Sequence, residues 1–145
     1  MLRRARLIAA ALLLAGSACG GEPPLECHRD AITTDSGLTL RDLTCGRGEP
    51  ARRGDVVTVS YSGRVPGGAR WDSARLARPF TFPLGRGQVI SGWDEGLVGM
   101  RRGGARRLVI PPELAFGSAG FLDLIPPDAT VVFVVRLLEL RGEAG

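Results

Sequence analysis

The chain has 145 residues, room for one domain, and its 21 glycines and 10 prolines give the punctuation that an all-β or α+β fold with tight turns requires. Its formal charge of +4 rests on 19 arginines, with no lysine, against 15 carboxylates; without Arg3, Arg4 and Arg6 of the leader the balance is one positive charge, which removes nucleic acid as a charge-driven partner. One histidine and three cysteines, with His28 beside Cys27, make neither a zinc site nor a thiol dyad, so no metal and no cofactor are expected.

The leader comes first. Three arginines precede a continuous apolar run from Leu7 to Ala15, too short to cross a membrane comfortably. Small residues Gly16, Ser17 and Ala18 follow, and then Cys19. Residues 1–18 read as an export signal that is removed. Small residues directly before a Cys resemble the bacterial lipoprotein box, whose Cys is lipidated and becomes the new N-terminus. Gly16 departs from the Leu usual in that box. Lipidation at Cys19 is the expected outcome, and plain cleavage is its alternative. Residues 19–35 then form a tether, and the protein is exported to the periplasm or cell envelope, touching the membrane only through a lipid anchor. Cys27 and Cys45 remain, and two cysteines in an exported chain are expected to pair.

Leu38 to Leu43 reads as a first strand. Asp55 to Arg64 alternates, with Val57, Val59 and Tyr61 on one face. Pro66-Gly67-Gly68 is a hairpin turn; Ala69 to Asp72 returns, and Phe80 to Leu84 is another strand. Ser91 to Met100 is the one good helix candidate. Arg101-Arg102 and Arg106-Arg107 flank a Gly-Gly turn and read as a solvated face, with an anion or headgroup patch as the sharper alternative. Ala105 to Ile110 is a strand closed by Pro111-Pro112, and Val131 to Leu140 is the last and most apolar one. Between them, residues 116–129 form a long loop. Its Phe121-Leu122-Asp123-Leu124-Ile125 run is too apolar for a disordered linker and should fold over something. Five to six antiparallel strands and one short helix covering their apolar face make an α+β domain, residues 36–142.

Aromatic residues supply the chemistry. Trp93, in Val89-Ile90-Ser91-Gly92-Trp93, opens the short helix and can present its ring as a dry floor, because its one polar atom is an N–H. Phe80 and Phe82 share a strand face, and Tyr61 and Phe133 lie on strands long enough to cross the sheet centre. With Val89, Ile90 and Ile125 they can enclose an apolar pocket. Asp72, next to Trp71, would be a lone carboxylate at its rim, serving either the site or a turn.

The runs Val57-Thr58-Val59-Ser60-Tyr61, Trp71-Asp72-Ser73, Pro79-Phe80-Thr81-Phe82, Val89-Ile90-Ser91-Gly92-Trp93-Asp94-Glu95-Gly96, Ile110-Pro111-Pro112-Glu113-Leu114-Ala115-Phe116-Gly117 and Ile125-Pro126-Pro127 through Phe133 resemble, in order and spacing, the FKBP-type peptidyl-prolyl isomerase family. The resemblance covers about residues 36 to 141. It implies a twisted antiparallel sheet wrapped around a short helix and an isomerase acting on proline-containing polypeptides. It implies Tyr61, Asp72, Phe80, Trp93 and Phe133 as the catalytic set. Trp71, Val89, Ile90, Phe116, Phe121 and Ile125 would be substrate-binding, with the Ile90 N–H available to a substrate carbonyl. Trp71 stands where Phe is usual, Phe116 where many members have Tyr, and Phe121 where His is common. These departures weaken the expected binding of macrolide inhibitors more than isomerisation. A non-catalytic proline-binding module or chaperone on the same fold is the competing reading, kept open by Trp71 and Phe116.

Overall fold

The structure, a computed structural model, describes residues 26–68, the backbone of 70–74, and residues 78–142. The leader and Cys19 lie outside the described residues.

Among the described residues, seven strands form one antiparallel sheet: β1 (Ile32–Thr33), β2 (Thr39–Thr44), β3 (Val56–Arg64), β4 (Arg70–Ala74), β5 (Phe80–Pro83), β6 (Ala105–Ile110) and β7 (Val131–Arg141). Among the described residues the one α-helix, α1 (Ser91–Gly96), precedes β6, and a 3-10 turn covers Pro112–Leu114. The sheet order is β1-β2-β6-β7-β3-β4, with β5 also on β3. All six strands expected from periodicity are present, most shifted by a residue or two at their ends. The seventh, Ile32–Thr33, pairs with Leu40 and Thr39 and is too short to leave a periodic signal.

β3 is the organising strand. Val57 and Val59 point into the core while Thr58 and Ser60 are half-buried on the other face, as the period of two requires. One edge of β3 runs the length of β7. The other edge is shared: β5 pairs with Val56 to Val59, and β4 with Tyr61 to Arg64. Val57 faces Phe82, Val59 faces Phe80, and Gly63 lies between Asp72 and Phe133. This register places the pocket aromatics of four elements over one patch of sheet.

The helix is shorter than the expected Ser91–Met100. It stops at Gly96; Leu97 follows at φ −91° and ψ −12°, and Gly99 takes φ 88°. Six residues cannot hold a helix by hydrogen bonding alone. α1 is held by proximity to β6: a Cβ on Gly92 would lie 2.5 Å from Ile110 Cγ2, and one on Gly96 2.8 Å from Leu108 Cδ2.

The arginine pairs are not one solvated face. Arg106 is 1 % exposed. It shares the inward face of β6 with Leu108 and Ile110, and its guanidinium finds partners there. Nε and Nη2 donate to Asp42 Oδ1 (2.6 Å) and Oδ2 (3.1 Å). Nη1 donates to the carbonyls of Gly96 (2.8 Å) and Val98 (2.9 Å), just where α1 ends with unsatisfied acceptors. Burial is tolerable because charge and donors are met together.

The end of the expected tether is part of this assembly. The His28 N–H donates to Asp42 Oδ2 (2.7 Å), and the Asp42 N–H donates to His28 O (2.6 Å). Beside them Cys27 and Cys45 are joined in a disulfide, with Cα atoms 5.4 Å apart.

Candidate functional site: an aromatic cleft

Trp93, 4 % exposed, sits at the start of α1 and is ringed by aromatics. Tyr61 and Phe133 meet it edge to face, with centroids 4.8 and 5.2 Å away and interplanar angles of 81° and 82°. Phe82 lies at 5.7 Å and Phe80 at 6.4 Å. Phe80 and Phe82 stack on each other at 5.2 Å, as residues two apart on one strand face can. Edge-to-face pairs at these distances are favourable beyond the area they bury.

Above the indole a cleft of about 150 Å³ opens, lined by Tyr61, Phe80, Val89, Ile90, Trp93, Phe116 and Phe133. Seven residues named from sequence thus converge on one concavity. Phe82 is buried behind it and buttresses Trp93. Two expected contacts are placed elsewhere. Ile125 is 1 % exposed and belongs to the core; it anchors the flap by exchanging backbone hydrogen bonds with Phe121 (3.0 and 3.1 Å). Phe121 does not line the cleft but lies against Phe116, ring centroids 5.6 Å apart. The flap's Gly120 is obligatory: at φ 64° a Cβ would fall 2.3 Å from Ile125 O. The Asp72 and Trp71 side chains lie outside the described residues; their backbone runs in β4, with Asp72 opposite Gly63.

The edge formed by Val89 and Ile90 is fixed from below. Ile90 caps α1 with its carbonyl, accepting from the N–H groups of Trp93 (3.0 Å) and Asp94 (3.3 Å). Asp94 is a residue whose role the sequence did not reveal. Its buried carboxylate accepts from the Gly85 N–H (2.7 Å) and the Gly87 N–H (2.9 Å), tying the turn before Val89 to the helix that carries Trp93. An acidic residue directly after the floor Trp, a few residues past two turn glycines, was the available signal. The Trp93 Nε1–H is buried with no hydrogen-bond partner among the described residues. No group of three or more potential metal ligands occurs among those residues either.

An aromatic floor, apolar walls and a fixed backbone edge make a cleft that can seat a small apolar ring. Comparison with known proteins agrees. The model of the FKBP-type peptidyl-prolyl cis-trans isomerase family matches residues 47–138. An FK506-binding protein of Neisseria meningitidis serogroup B is 47 % identical over 105 residues, covering 72 % of this chain and 96 % of that one. FK506-binding protein 4 of the fungus Gibberella zeae is also 47 % identical over 105 residues, but the match spans only 21 % of that longer protein. Among solved structures, FkpA from Escherichia coli superposes with a TM-score of 0.71 at 39 % identity, covering 79 % of this chain and 53 % of that one. A peptidyl-prolyl cis-trans isomerase from Pseudomonas syringae gives 0.69 at 35 % identity, covering 77 % and 80 %. The chain belongs to the FKBP-type peptidyl-prolyl cis-trans isomerase family.

Proposed function

We propose that the protein is a peptidyl-prolyl cis-trans isomerase acting on exported polypeptides as they fold. The observation that carries this reading is the convergence of Tyr61, Phe80, Phe82 and Phe133 on Trp93 beneath an apolar cleft.

Rotation about an X–Pro bond breaks no covalent bond. It must overcome the amide resonance, a barrier of roughly 18–20 kcal/mol. A proline ring seated on Trp93 between Tyr61, Phe80 and Phe133 loses its water. The carbonyl before it is more polar in the planar ground state than in the twisted form, so removing water favours the twist. Walls shaped for the twisted amide add differential binding, each ~1.4 kcal/mol of which is tenfold in rate. The Ile90 N–H is the donor assigned to a substrate carbonyl, and Asp72 the orienting group at the rim. General acid–base pairs are not needed for such a reaction, which accounts for a cleft built from rings. Macrolide inhibitors bind the same cleft, weakened by Phe116 and Trp71. Uncatalysed isomerisation takes tens of seconds or longer, slow enough to limit folding outside the cytoplasm.

The leader supports export, and Cys19 is assigned as the lipid anchor holding the domain to the envelope. Isomerisation of short X–Pro peptides by the chain lacking residues 1–18 tests the enzymatic reading. Acceleration should appear, and it should fall strongly in Trp93→Leu and Asp72→Val. Rates equal to buffer for every residue tried before Pro would leave a proline-binding module without catalysis.

A further inference from the structure

Beyond the cleft wall the flap turns large apolar side chains outward. Phe121 is 45 % exposed, Leu124 49 % and Leu122 81 %, all within four residues. Leu122 is unfavourable there twice over. Its side chain is hydrated, and its backbone takes φ 49°, a left-handed conformation that a leucine adopts at a steric cost and that asparagine or glycine would adopt readily. The base of the loop enforces that conformation: Phe121 and Ile125 exchange N–H···O bonds, and the Leu124 N–H donates to Phe121 O at 3.1 Å. Single exposed leucines need no explanation. A strained one within a cluster of exposed apolar side chains points to a use.

The run is continuous with the cleft. Phe116 lines the cleft, and its ring lies 5.6 Å from that of Phe121, which precedes Leu122. An extended chain advances about 3.3 Å per residue, so a segment that leaves the cleft past Phe116 crosses the 5.6 Å to the Phe121 ring in about two residues. We infer that Phe121, Leu122 and Leu124 form a second, apolar subsite that grips a nonpolar side chain a few residues from the bound proline, so that unfolded polypeptide is a better substrate than a short peptide. The inference rests on the cleft being the proline site.

The occupant is an extended polypeptide on two grounds. The ridge is three side chains long, far below the ~800 Å² per partner of a standard protein interface, which argues against a second copy. The charged residue within it is Asp123, whose sign opposes docking on an anionic bilayer.

The test compares the full chain with Leu122→Asn. Asparagine suits the left-handed region, so a melting curve should show stability kept or raised. Each protein is assayed on a Leu-Pro tetrapeptide and on a reduced, carboxymethylated ribonuclease whose refolding is limited by one trans-to-cis proline step. The ratio of kcat/KM on the unfolded protein to kcat/KM on the tetrapeptide should fall about three- to tenfold in Leu122→Asn, mostly through KM. An unchanged ratio overturns the inference, and so does an equal loss on both substrates, which would place Leu122 in the cleft itself. Should the parent chain isomerise neither substrate, the enzymatic reading fails and binding decides the ridge. Unfolded ribonuclease retained by the parent and released by Leu122→Asn supports it; equal retention refutes it. Loss of phosphatidylglycerol-vesicle binding or of self-association in Leu122→Asn, with ribonuclease binding intact, would assign the ridge to lipid or to a second copy instead.

Discussion

Trp93 is held by its aromatic neighbours. Four rings surround the indole, and its Nε1–H is buried with no partner among the described residues. Trp93→Leu keeps an apolar floor but opens a gap under Tyr61 and Phe133. We expect about 2–4 kcal/mol lost in chemical denaturation and kcat/KM on X–Pro peptides lowered at least tenfold. Phe116 is the cleft residue open to improvement. Restoring a hydroxyl there with Phe116→Tyr should tighten macrolide binding by about 3- to 10-fold in titration calorimetry, the worth of one ordinary hydrogen bond. Part of the cleft is legible from strand alternation, which places Phe80 beside Phe82 and sends Val57, Val59 and Tyr61 to one face, whereas Phe116 is placed only by the family resemblance. Ile125 and Phe121 are less legible. Both are apolar residues of one loop, and only the fold decides which turns inward to anchor and which turns out.

At the scale of elements, α1 is a six-residue helix held in place from three sides. Gly92 and Gly96, one turn apart, let it rest on Ile110 and Leu108. Arg106 binds its C-terminal carbonyls, and Asp94 ties it to the turn before Val89. Gly92→Ala should force the helix off β6. Thermal melting should report about 1–3 kcal/mol of destabilisation, and kcat/KM should fall with it because Trp93 moves along with the helix. Arg106→Met leaves Asp42 buried without its cation and should cost about 3–5 kcal/mol in urea unfolding. Arg106→Lys should recover only part of this, since an ammonium cannot span Asp42 and two carbonyls as the planar guanidinium does. The sequence concealed this arrangement because Arg106 and Arg107 are adjacent and look like surface. The alternation Arg106, Leu108, Ile110 carried the contrary signal, which composition outweighed. Apolar spacing overextends the helix for a related reason: Leu97, Val98 and Met100 are apolar at helical spacing, yet they enter the core from a turn that Gly99 makes at φ 88°.

For the whole molecule, the disulfide and the Asp42–His28 contacts join the N-terminal segment to the sheet beside the Arg106 cluster. Closing a loop of 18 residues is worth about 3 kcal/mol in the chain-entropy account, so Cys27→Ser/Cys45→Ser or a strong reductant should lower the melting temperature by roughly 10 °C or more. Labelling of cells with a fatty-acid analogue should mark the protein and lose the mark in Cys19→Ser, and an unlabelled parent would overturn the anchor. The sheet itself is readable from strand periods, whereas β1 lies within residues 19–35, where two strand residues cannot show a period.

The pairing of β3 with β7 acts in time as well as in space. Gly63 and Phe133 face each other across about 70 residues of sequence, the kind of distant contact that forms slowly. Tyr61 and Phe133 can enclose Trp93 only after β7, the final strand, has docked. A chain emerging N-terminus first from a ribosome therefore has no cleft until Phe133 is out, and the ten prolines that precede Phe133 must find their isomers without help from their own chain's cleft.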